Sequence, residues 1–176
     1  MQQTLDHLDR SSVADVLRAA PMVPVITIEN LKDAVPLAKA LRDGGLPVLE
    51  VTLRTPAGAE AIRLIRQEVE HVVVGAGTVI DQSTLDMACE AGSEFIVTPG
   101  TTDRLLEAAL KAGVPLLPGV SNVSDIMRCL DYGFNTLKFF PAEAAGGVKA
   151  LKAFAGPFSG LQFCPTGGIG LNNMLD

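Results

Sequence analysis

Apolar positions along the chain alternate between two rhythms. Short runs rich in β-branched and aliphatic residues occupy 22–28, 48–53, 72–76, 95–98, 114–117, 136–140 and 161–164, and most are apolar on both faces. That is the pattern of strands buried in a parallel sheet covered on either side. Between them, apolar residues recur every three or four positions over 31–42, 57–68, 82–91 and 103–112, as Leu105, Leu106, Ala109 and Leu110 do, which predicts amphipathic helices. Gly44, Gly92, Gly113 and Gly133 follow helical stretches, where a helix end takes a left-handed residue. Thr101, Thr102 and Asn122 are the candidate N-caps.

Regular alternation of strand and helix predicts an α/β fold around a parallel sheet. The expected strand centres lie near 25, 50, 74, 97, 116, 138 and 163, a mean step of about 23 residues. Seven such compact units predict a TIM-type (β/α)8 barrel. The competing architecture, an open doubly wound sheet, more often carries a Gly-rich turn after its first strand. Here that turn reads Glu29-Asn30-Leu31-Lys32, with no glycine. The same step places an eighth strand near residue ~186. The 176 residues therefore read as a single barrel domain over 1–176, truncated after strand seven, with the final strand and helix absent.

Composition narrows the function classes. With 48% hydrophobic residues, 5% aromatics and no Trp, the core is aliphatic. A formal net charge of −6 argues against a general nucleic-acid or anionic-membrane surface. It leaves room for an anionic substrate held by a few cationic groups in a cleft. The longest apolar runs are too short to span a bilayer as a helix. The first ten residues are polar and acidic, unlike a signal peptide. Cys89, Cys129 and Cys164 are widely spaced and show no metal or redox motif, which fits a reducing cytoplasm. His7 and His71 fall in the N-terminal segment and at the start of the third strand, away from the end of a barrel that carries chemistry, so no metal site is expected.

Polar residues at the C-terminal ends of barrel strands are the candidates for catalysis. Lys138 lies in Thr136-Leu137-Lys138-Phe139-Phe140-Pro141, inside an apolar strand. A buried lysine usually has a partner or a task. Apolar surroundings disfavour an ammonium and so favour the neutral amine that Schiff-base chemistry needs. The plainer alternative is a rim lysine reaching out to water. Glu50 in Leu49-Glu50-Val51-Thr52-Leu53-Arg54 is either a desolvated acid/base or half of an ion pair with Arg54 or Lys138. Glu50, Thr52 and Arg54 share a strand face if the strand runs that far.

Arg54 suits a carboxylate, which its guanidinium matches bidentately, or else a surface salt bridge. Gly167-Gly168 follows the seventh strand, where barrels often bind phosphate through backbone N–H groups; a plain turn is the alternative. Thr78 and Thr166 end the third and seventh strands and could equally satisfy backbone groups. Cys164 reads as a small core residue rather than a nucleophile.

Taken together, Val23-Pro24-Val25-Ile26, Leu49-Glu50-Val51-Thr52-Leu53-Arg54, Gly75-Ala76-Gly77-Thr78-Val79, Thr98-Pro99-Gly100, Lys138-Phe139-Phe140-Pro141-Ala142-Glu143 and Phe163-Cys164-Pro165-Thr166-Gly167-Gly168-Ile169 resemble the class I aldolases for 2-keto-3-deoxy-6-phosphogluconate (KDPG) and 2-keto-4-hydroxyglutarate (KHG). The resemblance covers the chain from about Ala20 onward, with the motifs in family order. It implies a cytoplasmic homotrimer of barrels, free of cofactor, that performs the aldol cleavage of the Entner–Doudoroff pathway. KDPG would be split to pyruvate and glyceraldehyde 3-phosphate, and KHG to pyruvate and glyoxylate. The motif match makes Lys138 the Schiff-base lysine, Glu50 the acid/base, and Arg54 and Thr78 ligands of the pyruvate carboxylate. It makes Thr166 an influence on stereochemistry at the substrate hydroxyl and Gly167-Gly168 part of the phosphate site.

Two other readings compete. A truncated barrel could be inactive and persist only by associating with a partner through open sheet edges. A different phosphate-binding barrel enzyme, an isomerase or decarboxylase, is disfavoured by Lys138 in Lys-Phe-Phe-Pro and by Glu50 four residues before Arg54.

Overall fold

The computed structural model describes residues 12–174; the N-terminal reading over the first ten residues and His7 lie outside them. Helix α1 (Val13–Arg18) leads into β1 (Val25–Ile26), a 3₁₀ turn (Leu31–Asp33) and α2 (Ala34–Asp43). Then come β2 (Val48–Thr52), α3 (Gly58–Glu68), β3 (Val73–Gly77), α4 (Gln82–Glu90), β4 (Ile96–Val97) and α5 (Asp103–Ala112). Strands β5 (Leu116–Leu117) and β6 (Gly119–Val120) precede α6 (Val123–Asp131), β7 (Thr136–Phe139), α7 (Gly147–Phe154) and β8 (Gln162–Pro165). Every strand pairing is parallel, in the order β1-β2-β3-β4-β5 and β6-β7-β8. The expected fifth strand is thus split in two, so the expected sixth and seventh strands are β7 and β8.

The split has a covalent cause. Pro118 sits between β5 and β6 and has no N–H to give to a ladder. Thr98 bridges the break: its hydroxyl, 1% exposed as a residue, accepts from Gly119 N–H at 3.0 Å. Gly119 has no room for a side chain there, since a Cβ would meet the Thr98 carbonyl at 2.5 Å. Past Pro118 the chain turns to its other neighbour, pairing Gly119 with Lys138 and Val120 with Phe139.

The period of two along each strand sorts the core into layers. Leu49, Val51, Val74, Ala76, Ile96 and Leu116 point outward and pack under the helices. Val48, Val73, Phe95, Val97 and Leu117 cluster on the other face with Cys164 of β8, which requires the wall to curl around them into a barrel. Val16 of α1 joins the same cluster, where it plugs the bottom. Above this layer the inner face carries Glu50, Thr52 and Lys138. Among the described residues β1 pairs with β2 and β8 with β7, and no pairing joins β1 to β8. These flanking strands are correspondingly exposed, Val25 at 42%, whereas every residue of β2, β3 and β7 is buried.

Several local expectations shift by a residue or two. The first strand is Val25–Ile26 rather than 22–28, as suits a strand paired on one side only. Gly113, Gly92 and Gly133 take left-handed φ, but after α2 that role falls to Gly45 (φ 94°) while Gly44 stays right-handed. Thr102 and Asn122 cap α5 and α6. Thr101 does not cap; its hydroxyl faces the Cys129 thiol.

Two glycines of β3 clear space inside the barrel. A Cβ on Gly75 would meet the Phe95 ring at 2.6 Å and one on Gly77 would meet Glu50 Oε1 at 2.1 Å. Gly75→Ala should therefore lower the unfolding free energy by roughly 1–3 kcal/mol through overpacking. A urea midpoint equal to that of the parent would show that Phe95 is not wedged against β3.

Candidate active site

Glu50 and Lys138 stand on β2 and β7, 88 positions apart in sequence, and meet inside the barrel. Lys138 Nζ donates to Glu50 Oε1 at 3.4 Å, and each side chain is 5% exposed. The contact is longer than the roughly 2.7–2.9 Å of a tight charge-assisted bond, so the amine is held without being locked. Nζ also lies 5.2 Å from the centroid of the Phe140 ring. Of the two partners open to Glu50 in the sequence, the structure selects Lys138.

The carboxyl of Glu50 is held above its ordinary value of 4.5, because burial in the barrel penalises the charged form. The Lys138 charge and hydrogen bond, and then the Arg54 charge, pull the other way without cancelling it. Glu50 is thereby poised to take and return protons closer to neutrality than a solvated glutamate. The bare inner face of β3 makes this placement possible, since Gly77 lies directly against the carboxyl. The signal was present as two glycines two apart in Gly75-Ala76-Gly77, a spacing that leaves one strand face without side chains.

Arg54 does not continue the strand face of Glu50 and Thr52. β2 ends at Thr52, and Arg54 is exposed in the following turn. Its Nε donates to Thr78 Oγ1 at 3.0 Å. Thr78 sits at a left-handed φ of 61°, costly for a β-branched residue, at the C-terminal end of β3. The two candidates are thus joined at the barrel mouth, and among the described residues no other hydrogen bond engages the guanidinium.

On the neighbouring strand, Cys164 of β8 is in register with Lys138. Burial, and next the Glu50 charge, push the Cys164 thiol up, while the Lys138 charge and then a hydrogen bond with Thr166 oppose them. A thiol held in its neutral form is a packing group rather than a nucleophile. Thr166 follows β8, half-buried beside that thiol. Gly167 and Gly168 come next with consecutive left-handed φ of 96° and 77°. A Cβ on Gly168 would meet Glu143 Cβ at 2.5 Å. The turn is tied down where Asn173 Nδ2 donates to the Gly168 carbonyl at 3.0 Å and to Glu143 Oε2 at 3.3 Å. No helix forms over 171–174, which are turn residues.

All seven candidates therefore belong to β2, β3, β7 and β8 or to the loops at their C-terminal ends. Glu50 and Lys138 touch, Arg54 and Thr78 touch, and Thr166 to Gly168 form the turn beyond β8. Among the described residues, no three His, Cys, Asp or Glu side chains are grouped to hold a metal ion. His71 is exposed below the start of β3.

Residues 13–176 match the family model for KDPG and KHG aldolase. The 2-dehydro-3-deoxy-phosphogluconate aldolase of Dickeya dadantii (strain 3937) is 54% identical over 167 residues, which are 95% of this chain and 78% of that protein. The KHG/KDPG aldolase of Escherichia coli (strain K12) is 53% identical over the same extent. In structure, the chain is similar to the KDPG aldolase of Legionella pneumophila with pyruvate captured at low pH as a covalent carbinolamine intermediate. The TM-score is 0.88 at 48% identity, covering 90% of this chain and 77% of that one.

The raised value of Glu50 has a consequence for stability. Below 4.5 the carboxyl is protonated both folded and unfolded. As pH rises, the unfolded chain ionises first, so stability is lost up to the higher folded value. Lys138→Met removes the main attraction that offsets burial, which widens that window. As pH rises above 4.5, its unfolding free energy should fall further than the parent's does. Adding Glu50→Gln should flatten the slope; a slope indifferent to Glu50 would contradict a buried pair.

Proposed function

The chain belongs to the KDPG and KHG aldolase family, and on that premise we propose how its residues share the reaction. It is a class I aldolase, a lyase that cleaves KDPG to pyruvate and glyceraldehyde 3-phosphate and 4-hydroxy-2-oxoglutarate to pyruvate and glyoxylate. The observation that carries the assignment of roles is the buried Lys138–Glu50 pair on the inner face of the barrel.

Lys138 passes a proton to Glu50, and its neutral Nζ adds to the C2 carbonyl carbon to give a carbinolamine, the kind of adduct captured in the Legionella pneumophila structure. Glu50 protonates the departing hydroxyl, and loss of water leaves an iminium. The iminium nitrogen accepts the electron pair of the C3–C4 bond as that bond breaks. The C4 hydroxyl proton passes to Glu50 and the aldehyde departs, leaving an enamine on Lys138. Glu50 returns the proton to C3, and water hydrolyses the iminium to release pyruvate and the free amine. A carboxyl with a raised value suits both directions of this transfer.

Arg54, steadied by Thr78, binds the substrate carboxylate and turns C2 toward the amine. Thr166 lies beside the site and contacts the C4 hydroxyl, which biases its stereochemistry. The Gly167-Gly168 turn admits the phosphate close to its backbone, as left-handed glycines allow. The remainder of the phosphate site is left to groups beyond these.

We further assign the chain to a homotrimer in the cytoplasm. Val123, Met127 and Leu130 recur along α6 and are exposed at 44%, 55% and 39%, an apolar stripe suited to association. All three cysteines are free, as a reducing compartment would keep them. Light scattering should return about three times the 18.4 kDa of one chain. A single-chain mass at micromolar concentration would remove the trimer.

Borohydride reduction in the presence of pyruvate tests the chemistry. The intact mass should rise by one pyruvyl adduct, and peptide mapping should locate it on Lys138. Lys138→Ala should lose both the adduct and at least about 10⁴-fold in kcat, since the covalent route is closed. A folded chain that gives no adduct would support the inactive-barrel reading, and an adduct elsewhere would unseat Lys138.

A further inference from the structure

A hydroxyl pair that plays no part in these steps stands beside the Lys138–Glu50 centre. The β1–β2 register pairs Val25 with Glu50 and Ile26 with Val51, which puts Thr27 opposite Thr52 at the C-terminal mouth. Their hydroxyl oxygens are 3.0 Å apart. Thr52 is fully buried and two residues along the same strand face as Glu50, whereas Thr27 is exposed at the mouth. Among the described residues neither hydroxyl has another hydrogen-bond partner. Two hydroxyls joined by one hydrogen bond leave one O–H hydrogen to spare. If Thr52, closed in by the wall, donates to Thr27, then Thr27 presents a donor into the mouth that its neighbour polarises.

The place of this donor indicates what it meets. Around the wall the order is β3, β2, β1, then the opening, then β8 and β7. Arg54 leans from β2 toward Thr78 of β3, which puts the carboxylate end of the substrate on that side. The Gly167-Gly168 turn follows β8, which puts the phosphate end on the far side of β1. With C2 joined to Lys138 and the C4 oxygen facing Glu50, the section of substrate that passes the end of β1 is C5. We infer that Thr27, supported by Thr52, donates a hydrogen bond to the C5 hydroxyl, the α-hydroxyl of the aldehyde product. Thr27 thereby selects aldehydes that carry an oxygen next to the carbonyl. This rests on the roles proposed for Lys138, Arg54 and the glycine turn.

The reverse reaction isolates that contact. Pyruvate is added to D-glyceraldehyde 3-phosphate or to 3-phosphooxypropanal, which lacks the α-hydroxyl, and kcat/KM is measured for each. The parent should prefer the hydroxylated aldehyde, and Thr27→Val should cut that preference by about tenfold, the worth of one hydrogen bond to a buried partner. Thr27→Ser should restore it. A purely structural role for Thr27 would slow both aldehydes alike and leave their ratio unmoved, which overturns the inference, as does a parent with no preference. A parent that forms no pyruvate adduct at Lys138 instead removes the underlying reading, and the inference falls with it.

Discussion

The pairing of Lys138 with Glu50 across the barrel interior is the constraint from which the arrangement of this protein follows. Moving either charge out of water costs several kcal/mol, and a lone buried partner would unfold or neutralise. The two ions are tolerable only face to face. That requires β2 and β7, far apart in sequence, to lie on one curved wall with both inner faces in register at the same height. The apolar plug of Val16, Val48, Val73, Phe95, Val97 and Leu117 beneath them excludes water from below. The missing side chains of Gly75 and Gly77 leave the volume that Phe95 and Glu50 occupy.

The pair also explains why the surrounding groups are placed as they are. Burial raises Glu50 and the nearby Lys138 charge restrains the rise. Arg54 stays outside this dry layer, exposed and hydrogen-bonded to Thr78 at the rim. Cys164, in register with Lys138, fills space without adding a reactive thiolate. The site is thus stratified: a hydrocarbon floor, a buried lysine–glutamate pair, and a polar mouth formed by the ends of the strands and the turns that follow.

The wall itself is less regular than its repeat. Pro118 divides one strand between two neighbours, and Thr98 supplies through its side chain the hydrogen bond that the backbone forgoes. This break lies one residue from Gly119, the register partner of Lys138. The strand that supports the lysine is therefore held by a specific side-chain contact as well as by its ladder.

The alternation of buried runs with helical periods was enough to place seven strand positions, their parallel sense and the barrel, because apolar periodicity is a local property of the chain. Lys138 and Glu50 stood out for the same reason: a charge within a hydrophobic run needs an explanation before any fold is known. What local pattern could not supply was partnership. Whether Glu50 would answer to Arg54, four residues away, or to Lys138, far along the chain, is decided by the curl of the wall, which brings distant strands face to face. The register of neighbouring strands turned Gly77 from a flexible link into a wall against a carboxyl, converted Thr98 from a strand end into a bridge, and set Thr27 against Thr52. Each depends on which residue lies across a strand or across the barrel, a relation that exists only once the tertiary structure has formed.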